Sequence, residues 1–244
     1  MNVLRKWFKR YGPIEQPAVT PESLLERLDE PFRSALLSMY HGEPQTRSDG
    51  TTCKIDPIAG VIPANGMWLY DECLRLAPRA CLEVGFAFGF STLFFLAGIA
   101  KNGSGMHLAV DQFEHSHYGG VGLQKVREVC ATANFRFVQE SSVHATADLE
   151  REHSTFDFIF IDGNHRFDDA LVDFTLFSRL LNKGGLIVFD DMWMRSLRTA
   201  VAFVQTNRQD FLRIPSPPTL AAFERIGDDA RLWEHFIPFA VAQE

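Results

Sequence analysis

Short apolar runs alternate with helical patterns through the middle of the chain. The runs are CLEVG (81–85), MHLAVD (106–111), FRFVQ (135–139), FDFIFID (156–162) and LIVFD (186–190). The segments with helical spacing lie between them, around 90–101, 120–133, 143–153 and 166–182. Apolar strands that alternate with helices are typical of a parallel sheet covered on both faces. The pattern therefore predicts an α/β fold, a doubly wound Rossmann-like sheet with ligands at the carboxyl ends of its strands.

The segment before this alternation has a different pattern. It has helical spacing from Thr20, and Pro31 indicates a second helix start. Residues 41–63 are polar and contain Gly and Pro, which predicts a loop. An amphipathic segment follows Asn65 and ends before Pro78. We therefore expect extra N-terminal helices in front of the sheet.

The C-terminal part predicts an antiparallel addition to the sheet. A helix is expected over 196–209, followed by FLRIP (211–215) and LAAFERI (220–226), which flank a Ser-Pro-Pro turn. With this antiparallel pair the mostly parallel sheet has seven strands. We expect an N-terminal helical extension and loop over 1–60 and one α/β domain over 61–244.

Composition and charge narrow the class of protein. The 244 residues are 46% hydrophobic and 23% charged, which excludes a disordered or collagen-like chain. The 24 Lys and Arg against 31 Asp and Glu give a net charge of -7. This is the wrong sign for a protein that binds a phosphate backbone, so no nucleic-acid partner is expected.

The cysteines and the N-terminus bear on localisation. The four cysteines form no CxxC pair and are expected to be reduced thiols: Cys53, Cys73, Cys81 and Cys130. The start MNVLRKWFKRYG is basic and slightly amphipathic and has no long apolar run or cleavage signal, which favours a mobile or docking arm over a membrane-surface role. No run reaches the ~18 apolar residues of a transmembrane helix. We expect a cytoplasmic protein without a transmembrane segment.

A glycine turn follows the first apolar run. Gly85 and Gly89 are spaced as GxxxG and precede a helix, so the backbone there can approach a ligand closely. Asp111 closes the next strand, and a carboxylate at that place can accept both hydroxyls of a ribose. The alternatives are a plain strand-to-helix turn and a solvated aspartate. The two features together favour a ribose site.

Five segments carry a resemblance to a known family: LEVGFAFGFST (82–92), AVD (109–111), FVQESS (137–142), FDFIFIDGNHRFDDALVDF (156–174) and LLNKGGLIVFDDM (180–192). In order and interval they resemble class I S-adenosylmethionine (SAM)-dependent methyltransferases. The chain is most similar to the catechol O-methyltransferase-like group and to metal-dependent O-methyltransferases of bacterial natural-product and sugar pathways. The resemblance covers roughly residues 60–195, the size of a common domain.

The resemblance implies a SAM site along the strand ends. Gly85, Phe86 and Gly89 are expected at the methionine and ribose, and Glu83 and Ser91 at the amino-acid end. The remaining cofactor-binding residues that the resemblance implies are Asp111 and Gln112 at the ribose, Ser141 and Ser142 at the adenine, and Asp162.

Three carboxylates follow the fourth and fifth predicted strands. Asp162 ends one strand, and Asp190 and Asp191 end the next. If the strands are neighbours, the carboxylates converge, and they must share protons or hold a cation. Oxygen ligands favour Mg²⁺, with Mn²⁺ or Ca²⁺ as alternatives. In the other interpretation Asp162 serves SAM alone while Asp190 and Asp191 cap a helix.

His165 follows Asp162 by three residues. The resemblance implies a general base at this position, because related enzymes carry lysine or histidine there. An unperturbed pKa of ~6.5 allows imidazole to accept a hydroxyl proton near neutral pH. We expect His165 and Asp162 to be the catalytic residues.

Together these features predict a SAM-dependent O-methyltransferase that acts on a small hydroxylated acceptor, a sugar, polyketide or phenol. A divalent metal and the His165 base would assist the transfer. The alternatives are a metal-independent O- or N-methyltransferase, an NAD-dependent oxidoreductase and a non-catalytic SAM-binding protein. The GxxxG spacing and the lack of a Tyr-x-x-x-Lys set disfavour the oxidoreductase. Pairing of the N-terminal helices with a second copy is also expected.

Overall fold

The computed structural model describes residues 20–130 and 134–241. Its helices are α1 (Pro21–Leu25), α2 (Phe32–Tyr40), α3 (Pro63–Leu76), α4 (Phe90–Asn102), α5 (Val121–Val129), α6 (Ser142–Arg151), α7 (Phe167–Phe177) and α8 (Arg195–Asn207). Its strands are β1 (Pro44–Thr46), β2 (Thr52–Lys54), β3 (Ala80–Val84), β4 (Met106–Val110), β5 (Phe135–Val138), β6 (Phe156–Ile161), β7 (Leu181–Phe189), β8 (Phe211–Ile214) and β9 (Ala221–Arg225). A 3-10 turn covers Pro57–Ala59.

Seven strands form one sheet in the order β5-β4-β3-β6-β7-β9-β8. The first five strands of this order are parallel, whereas β9 is antiparallel to both β7 and β8. This architecture confirms the predicted mostly parallel seven-stranded sheet with an antiparallel C-terminal pair. The order reverses between β3 and β6, the place where such sheets open a ligand crevice.

The two faces of the sheet have separate apolar cores, because neighbouring residues of a strand point to opposite faces. In β6, Phe158 and Phe160 belong to the core under α3, α4 and α5. Ile159 and Ile161 belong to the core under α6, α7 and α8. Helices on both faces explain why the central strands lack polar alternation.

The N-terminal helices pack into the first of these cores. Leu25 of α1 and Leu36 of α2 have no exposed surface and share that core with α3 and α4. The expected pairing of these helices with a second copy stays a prediction, as does a domain boundary at residue 60. The proposed N-terminal arm lies outside the described residues.

Three predictions of secondary structure need correction. The helix expected over 166–182 ends at Phe177, and β7 begins at Leu181 instead of Leu186. The longer strand forms because Phe156 of β6 pairs with Leu181, and a shift in register follows before Phe158. The loop expected over 41–63 contains the hairpin of β1 and β2.

All four cysteines are free thiols, as expected. Within the described ranges, no helix has the length and apolar character needed to span a bilayer.

Candidate active site

Four strand ends meet at one edge of the sheet. Val84 of β3 is in register with Val110 of β4 and with Ile161 of β6, and Ile161 is in register with Phe189 of β7. The residues that follow these strand ends therefore face one crevice: Gly85, Asp111, Asp162, Asp190 and Asp191. The convergence of the three carboxylates was expected only if β6 and β7 were neighbours, and they are.

The glycine turn after β3 is set by a close approach of two backbones. Gly85 has a φ of 94°, and a Cβ on it would overlap the carbonyl oxygen of Asp162 and lie 2.9 Å from the Cα of Gly163. A residue with a side chain fits neither this conformation nor this space. Gly89, with a φ of 80°, then leads into α4. The first turn of α4 has backbone N–H groups without helical partners, which suits the carboxylate end of an amino acid.

The side chain of Asp111 is fixed against this turn. Its Oδ2 accepts hydrogen bonds from the N–H groups of Phe86 (3.0 Å) and Ala87 (2.9 Å), and its Oδ1 accepts one from Phe113 (2.7 Å). A carboxylate has about four lone-pair sites, so acceptor capacity remains for ribose hydroxyls. The exposed Gln112 lies beside it in the chain. The geometry is compatible with the ribose role expected for Asp111.

Two residues expected at the cofactor have their side chains in the core. The ring of Phe86 packs against Phe137 with 5.1 Å between ring centroids, which leaves its backbone to form the turn. Glu83 has no exposed surface, accepts a hydrogen bond from Thr92 and lies 3.4 Å from His107 Nε2. The roles expected for Phe86 and Glu83 stay predictions. In the structure the Phe86 ring packs against another ring in the core, and the Glu83 carboxylate has polar partners inside the protein.

The serines expected at the cofactor lie at the starts of two helices. Ser91 is buried in the first turn of α4. Ser141 caps α6, because its Oγ accepts a hydrogen bond from the N–H of His144 (3.4 Å). Burial raises the pKa of Asp173 to about 6, and a hydrogen bond with Ser142 acts against that rise. These serines flank the crevice, and their contacts with a cofactor stay predictions.

Asp162, His165 and Asp191 form the densest group of ligand atoms at the crevice. One atom from each lies within 4.8 Å of the others. The Nε2 of His165 is 3.6 Å from Asp162 Oδ1 and 3.0 Å from Asp191 Oδ2. Ser196 donates a hydrogen bond to the carbonyl oxygen of His165 (2.6 Å), which ties this loop to α8. The ring of His165 therefore lies between two carboxylates.

Asp190 is held deeper than this group. It is buried, and its Oδ1 accepts hydrogen bonds from the Asn65 side chain (3.1 Å) and from the backbone N–H of Asp191 (2.7 Å). Among the described residues, the group of ligand atoms within 4.8 Å contains His165 and does not contain Asp190. The metal role expected for Asp190 stays a prediction.

The charges of the cluster are strongly coupled. Burial raises the pKa of Asp162 to about 6, with a further rise from Asp191 and an opposing effect from His165. Burial, together with the charges of Asp162 and Asp191, also raises the pKa of Asp190 well above its ordinary value. For His165, burial lowers the pKa, but the two carboxylates outweigh that effect and raise it to about 10. The imidazolium form of His165 thus compensates part of the negative charge.

The segment after β7 shapes the cluster further. Asp191 has a φ of 56°, a left-handed conformation that non-glycine residues rarely adopt outside functional sites and turns. Its Oδ1 accepts a hydrogen bond from the Trp193 indole (2.7 Å), which leaves Oδ2 beside His165. Asn65 and Thr219 are the polar residues at this edge that the sequence analysis missed. Asn65 lies near the start of the region of resemblance to the known family, and Thr219 lies beyond its end.

Comparisons of the sequence with known proteins found a matching family and several relatives. Residues 82–192 match a family model described as a methyltransferase domain. The chain is 27% identical over 158 residues to the O-methyltransferase hkm8 of Aspergillus hancockii, an alignment that covers 62% of this chain and 60% of hkm8. It is 26% identical over 135 residues to the uncharacterized protein y4gI of Sinorhizobium fredii, covering 53% of this chain and 14% of y4gI. The chain therefore spans less than two thirds of each of these relatives.

Solved structures share the fold. The O-methyltransferase TomG of Streptomyces achromogenes, involved in tomaymycin synthesis and determined with SAM, has a TM-score of 0.62 at 17% identity. That similarity covers 82% of this chain and 91% of TomG. An O-methyltransferase of Bacillus cereus, determined with S-adenosylhomocysteine (SAH), has a TM-score of 0.60 at 14% identity. It covers 91% of this chain and 96% of that one.

Proposed function

The chain carries a class I SAM-dependent methyltransferase domain, and from that premise we propose that it methylates a hydroxyl oxygen of a small acceptor. The observation that carries this proposal is the His165 imidazole between Asp162 and Asp191, next to the glycine turn and Asp111. An imidazole and two carboxylates thus lie beside the strand ends, the edge at which class I folds bind the methyl donor, which supports the proposal. The similarity to hkm8, an O-methyltransferase, supports oxygen as the acceptor atom.

We assign SAM to the turn after β3 and to Asp111. Gly85 and Gly89 leave room for the methionine part, and the first turn of α4 offers N–H groups to its carboxylate. The carboxylate of Asp111 is oriented by three backbone N–H groups and retains lone pairs for the ribose hydroxyls. Ser141 and Ser142 are assigned to the adenine edge.

We assign a divalent ion to Asp162, Asp190 and Asp191. Mg²⁺ is the proposed ion because it prefers oxygen ligands. The chemistry of the donor set supports this assignment. Burial and mutual repulsion raise the pKa values of Asp162 and Asp190, because carboxylates in one crevice are costly without a compensating cation. When bound, the ion supplies positive charge that lowers the pKa of a nearby acceptor hydroxyl.

His165 is the proposed general base. The acceptor O–H proton moves to the His165 imidazole while the oxygen bonds to the methyl carbon and the carbon–sulfur bond of the donor breaks, leaving SAH. The ring must be neutral for this step, whereas Asp162 and Asp191 favour its protonated form. A divalent ion held by those carboxylates would lower the pKa of His165, because its positive charge would offset the anions that stabilise the imidazolium. Burial then favours the neutral ring.

One observation favours a second candidate function, metal-independent methyl transfer to oxygen or nitrogen. The protonated His165 already compensates Asp162 and Asp191 through its ion pairs, so the cluster is not a bare set of like charges. In that case His165 becomes a base only at high pH, since its pKa is about 10. A rate that rises steeply above neutral pH and is indifferent to chelators would identify this candidate.

The proposal is tested by SAH release from SAM with a panel of catechols, other phenols and sugar vicinal diols, each assayed with Mg²⁺ and with EDTA. We expect turnover on at least one member, its loss in EDTA, and a fall of ~100-fold or more in His165→Gln. His41→Gln is the matched control, because His41 is a similarly exposed histidine outside the crevice that pairs with Glu22. No release with any member, or equal rates in wild type and His165→Gln, would contradict the proposal.

A further inference from the structure

A polar bridge reaches the acidic cluster from residues outside the 82–192 match to the methyltransferase-domain model. Asn65 lies in the first turn of α3, is buried, and is 125 residues from Asp190 in the sequence. We propose that Asn65 is a positioning residue that fixes the Asp190 carboxylate, and that Thr219 in turn fixes Asn65. This inference rests on the proposed function, because the carboxylate it positions belongs to the assigned cation site.

The orientation of the Asn65 amide is dictated by its two partners. Its Nδ2 donates to Asp190 Oδ1 (3.1 Å), and its Oδ1 accepts from the Thr219 hydroxyl (2.9 Å). Asp190 Oδ1 already accepts a hydrogen bond from the N–H of Asp191, so the NH₂ group must face Asp190 and the amide oxygen must face Thr219. A flipped amide would place two acceptors against each other. The bridge therefore has one satisfied arrangement.

The bridge sets the rotation of the Asp190 carboxylate. Oδ1 receives both the Asn65 amide and the backbone N–H of Asp191 (2.7 Å). Across the described chain, no hydrogen-bond donor reaches the other oxygen, Oδ2. Turning the carboxylate would break two hydrogen bonds to a buried charged group, and an unsatisfied buried group is costly. Oδ2 is thereby kept as the oxygen available to a cation.

Thr219 connects this bridge to the C-terminal strand pair. It lies between β8 and β9, and its carbonyl oxygen accepts a hydrogen bond from the N–H of Met192 (3.1 Å). The same residue thus holds the chain just after Asp191 through its backbone and Asn65 through its side chain. Segments before and after residues 82–192, the part matched by the family model, therefore converge on Asp190. Groups of this kind, which orient a metal ligand without touching the metal, typically contribute 10–100-fold in metal affinity.

The test is a calorimetric titration of Mg²⁺ into the full chain saturated with SAH. Asn65→Leu keeps the approximate volume and removes both hydrogen bonds. We expect it to weaken Mg²⁺ binding ~10–100-fold and to leave SAH affinity within ~2-fold of wild type. Thr219→Val removes the hydroxyl without touching Asp190, and we expect a smaller loss in the same direction. Thr219→Ser retains the hydroxyl and should restore wild-type Mg²⁺ affinity, which loss of general stability would not explain.

Each outcome decides the question. Wild-type Mg²⁺ affinity in Asn65→Leu overturns the positioning role while the proposed function stands. If Asn65→Leu does not fold, the pair Thr219→Val and Thr219→Ser decides, and equal affinities in the two overturn the role. If wild type binds SAH but no Mg²⁺, the cation site itself fails, and the role of Asn65 fails with it. If wild type does not bind SAH, the proposed function fails first.

Discussion

Replacement of Gly85 by alanine tests how closely the turn after β3 packs against the backbone of Asp162. The substitution has two costs, the strain of a positive φ and the overlap of the new Cβ with that backbone. At a φ of 94° an L-residue has a cost of ~1–2 kcal/mol, and the added Cβ overlaps the carbonyl oxygen of Asp162. Overpacking against neighbours that cannot yield typically costs a further ~1–3 kcal/mol. The sum is a loss of ~2–5 kcal/mol in the free energy of unfolding.

Gly50→Ala is the matched control. Gly50 has a φ of 82° in the hairpin of β1 and β2, and nothing lies within 4 Å of the position of its Cβ. It therefore carries the backbone cost of ~1–2 kcal/mol without the overlap. For a chain of this size ~1 kcal/mol corresponds to ~2–4 °C in Tm. We expect Tm to fall by ~4–20 °C in Gly85→Ala and by ~2–8 °C in Gly50→Ala.

The assay combines thermal unfolding with SAH titration. Relief of the overlap must move the backbone of Asp162 or the turn after β3, so Gly85→Ala should also weaken SAH binding. Gly50→Ala should leave SAH affinity unchanged, since the hairpin tip is outside the turn. Equal losses of Tm in the two variants, or unchanged SAH affinity in Gly85→Ala, would refute the reasoning that the turn and Asp162 form one packed unit.

Three further predictions concern the crevice. Asp111→Asn should weaken SAH binding ~10-fold or more in calorimetry, because hydrogen bonds to a charged group contribute ~1.5–3 kcal/mol; unchanged affinity would remove Asp111 from the ribose site. The pKa of His165 in the folded chain, about 10, exceeds the ~6.5 of the unfolded chain. The protonated His165 therefore contributes its full stabilisation below pH ~6.5, and this stabilisation is lost as the pH rises toward 10. In EDTA the urea midpoint of unfolding should fall across this pH range. His165→Gln should abolish the part of the fall that is due to His165. Trp193→Phe removes the indole hydrogen bond to Asp191 and should lower kcat with SAH affinity unchanged, whereas an unchanged kcat would show that Asp191 does not need this bond.

The sheet and its ligand edge could be predicted because their signals are local. Each central strand is buried on both faces, so it appears as a short apolar run with an acidic or glycine residue where the run ends. This located Asp111, Asp162 and Asp190 at strand ends, and the alternation with helices placed those ends on one edge. The predicted methyltransferase was confirmed by the match of residues 82–192 to a methyltransferase-domain model, and the predicted fold by its similarity to that of TomG.

Other features depend on contacts that no local pattern encodes. Asn65 and Thr219 are 154 residues apart, and neither lies in a motif, so only the folded chain shows that they meet. The burial of Glu83 against Thr92 depends on which face of β3 packs under α4. The start of β7 was missed because it depends on the pairing of Leu181 with Phe156 of β6 and on a register shift before Leu186, and the apolar run LIVFD includes neither.

The central claim is that the edge of the sheet binds a methyl donor and a divalent cation together. The most direct measurement is a calorimetric titration of SAH into the wild-type chain, followed by Mg²⁺ into the SAH complex. The account predicts saturable binding of both, and loss of the Mg²⁺ signal in Asp191→Ala with SAH binding retained. An SAH complex that takes up no Mg²⁺ would contradict the cation site, and a chain that binds no SAH would contradict the methyltransferase itself.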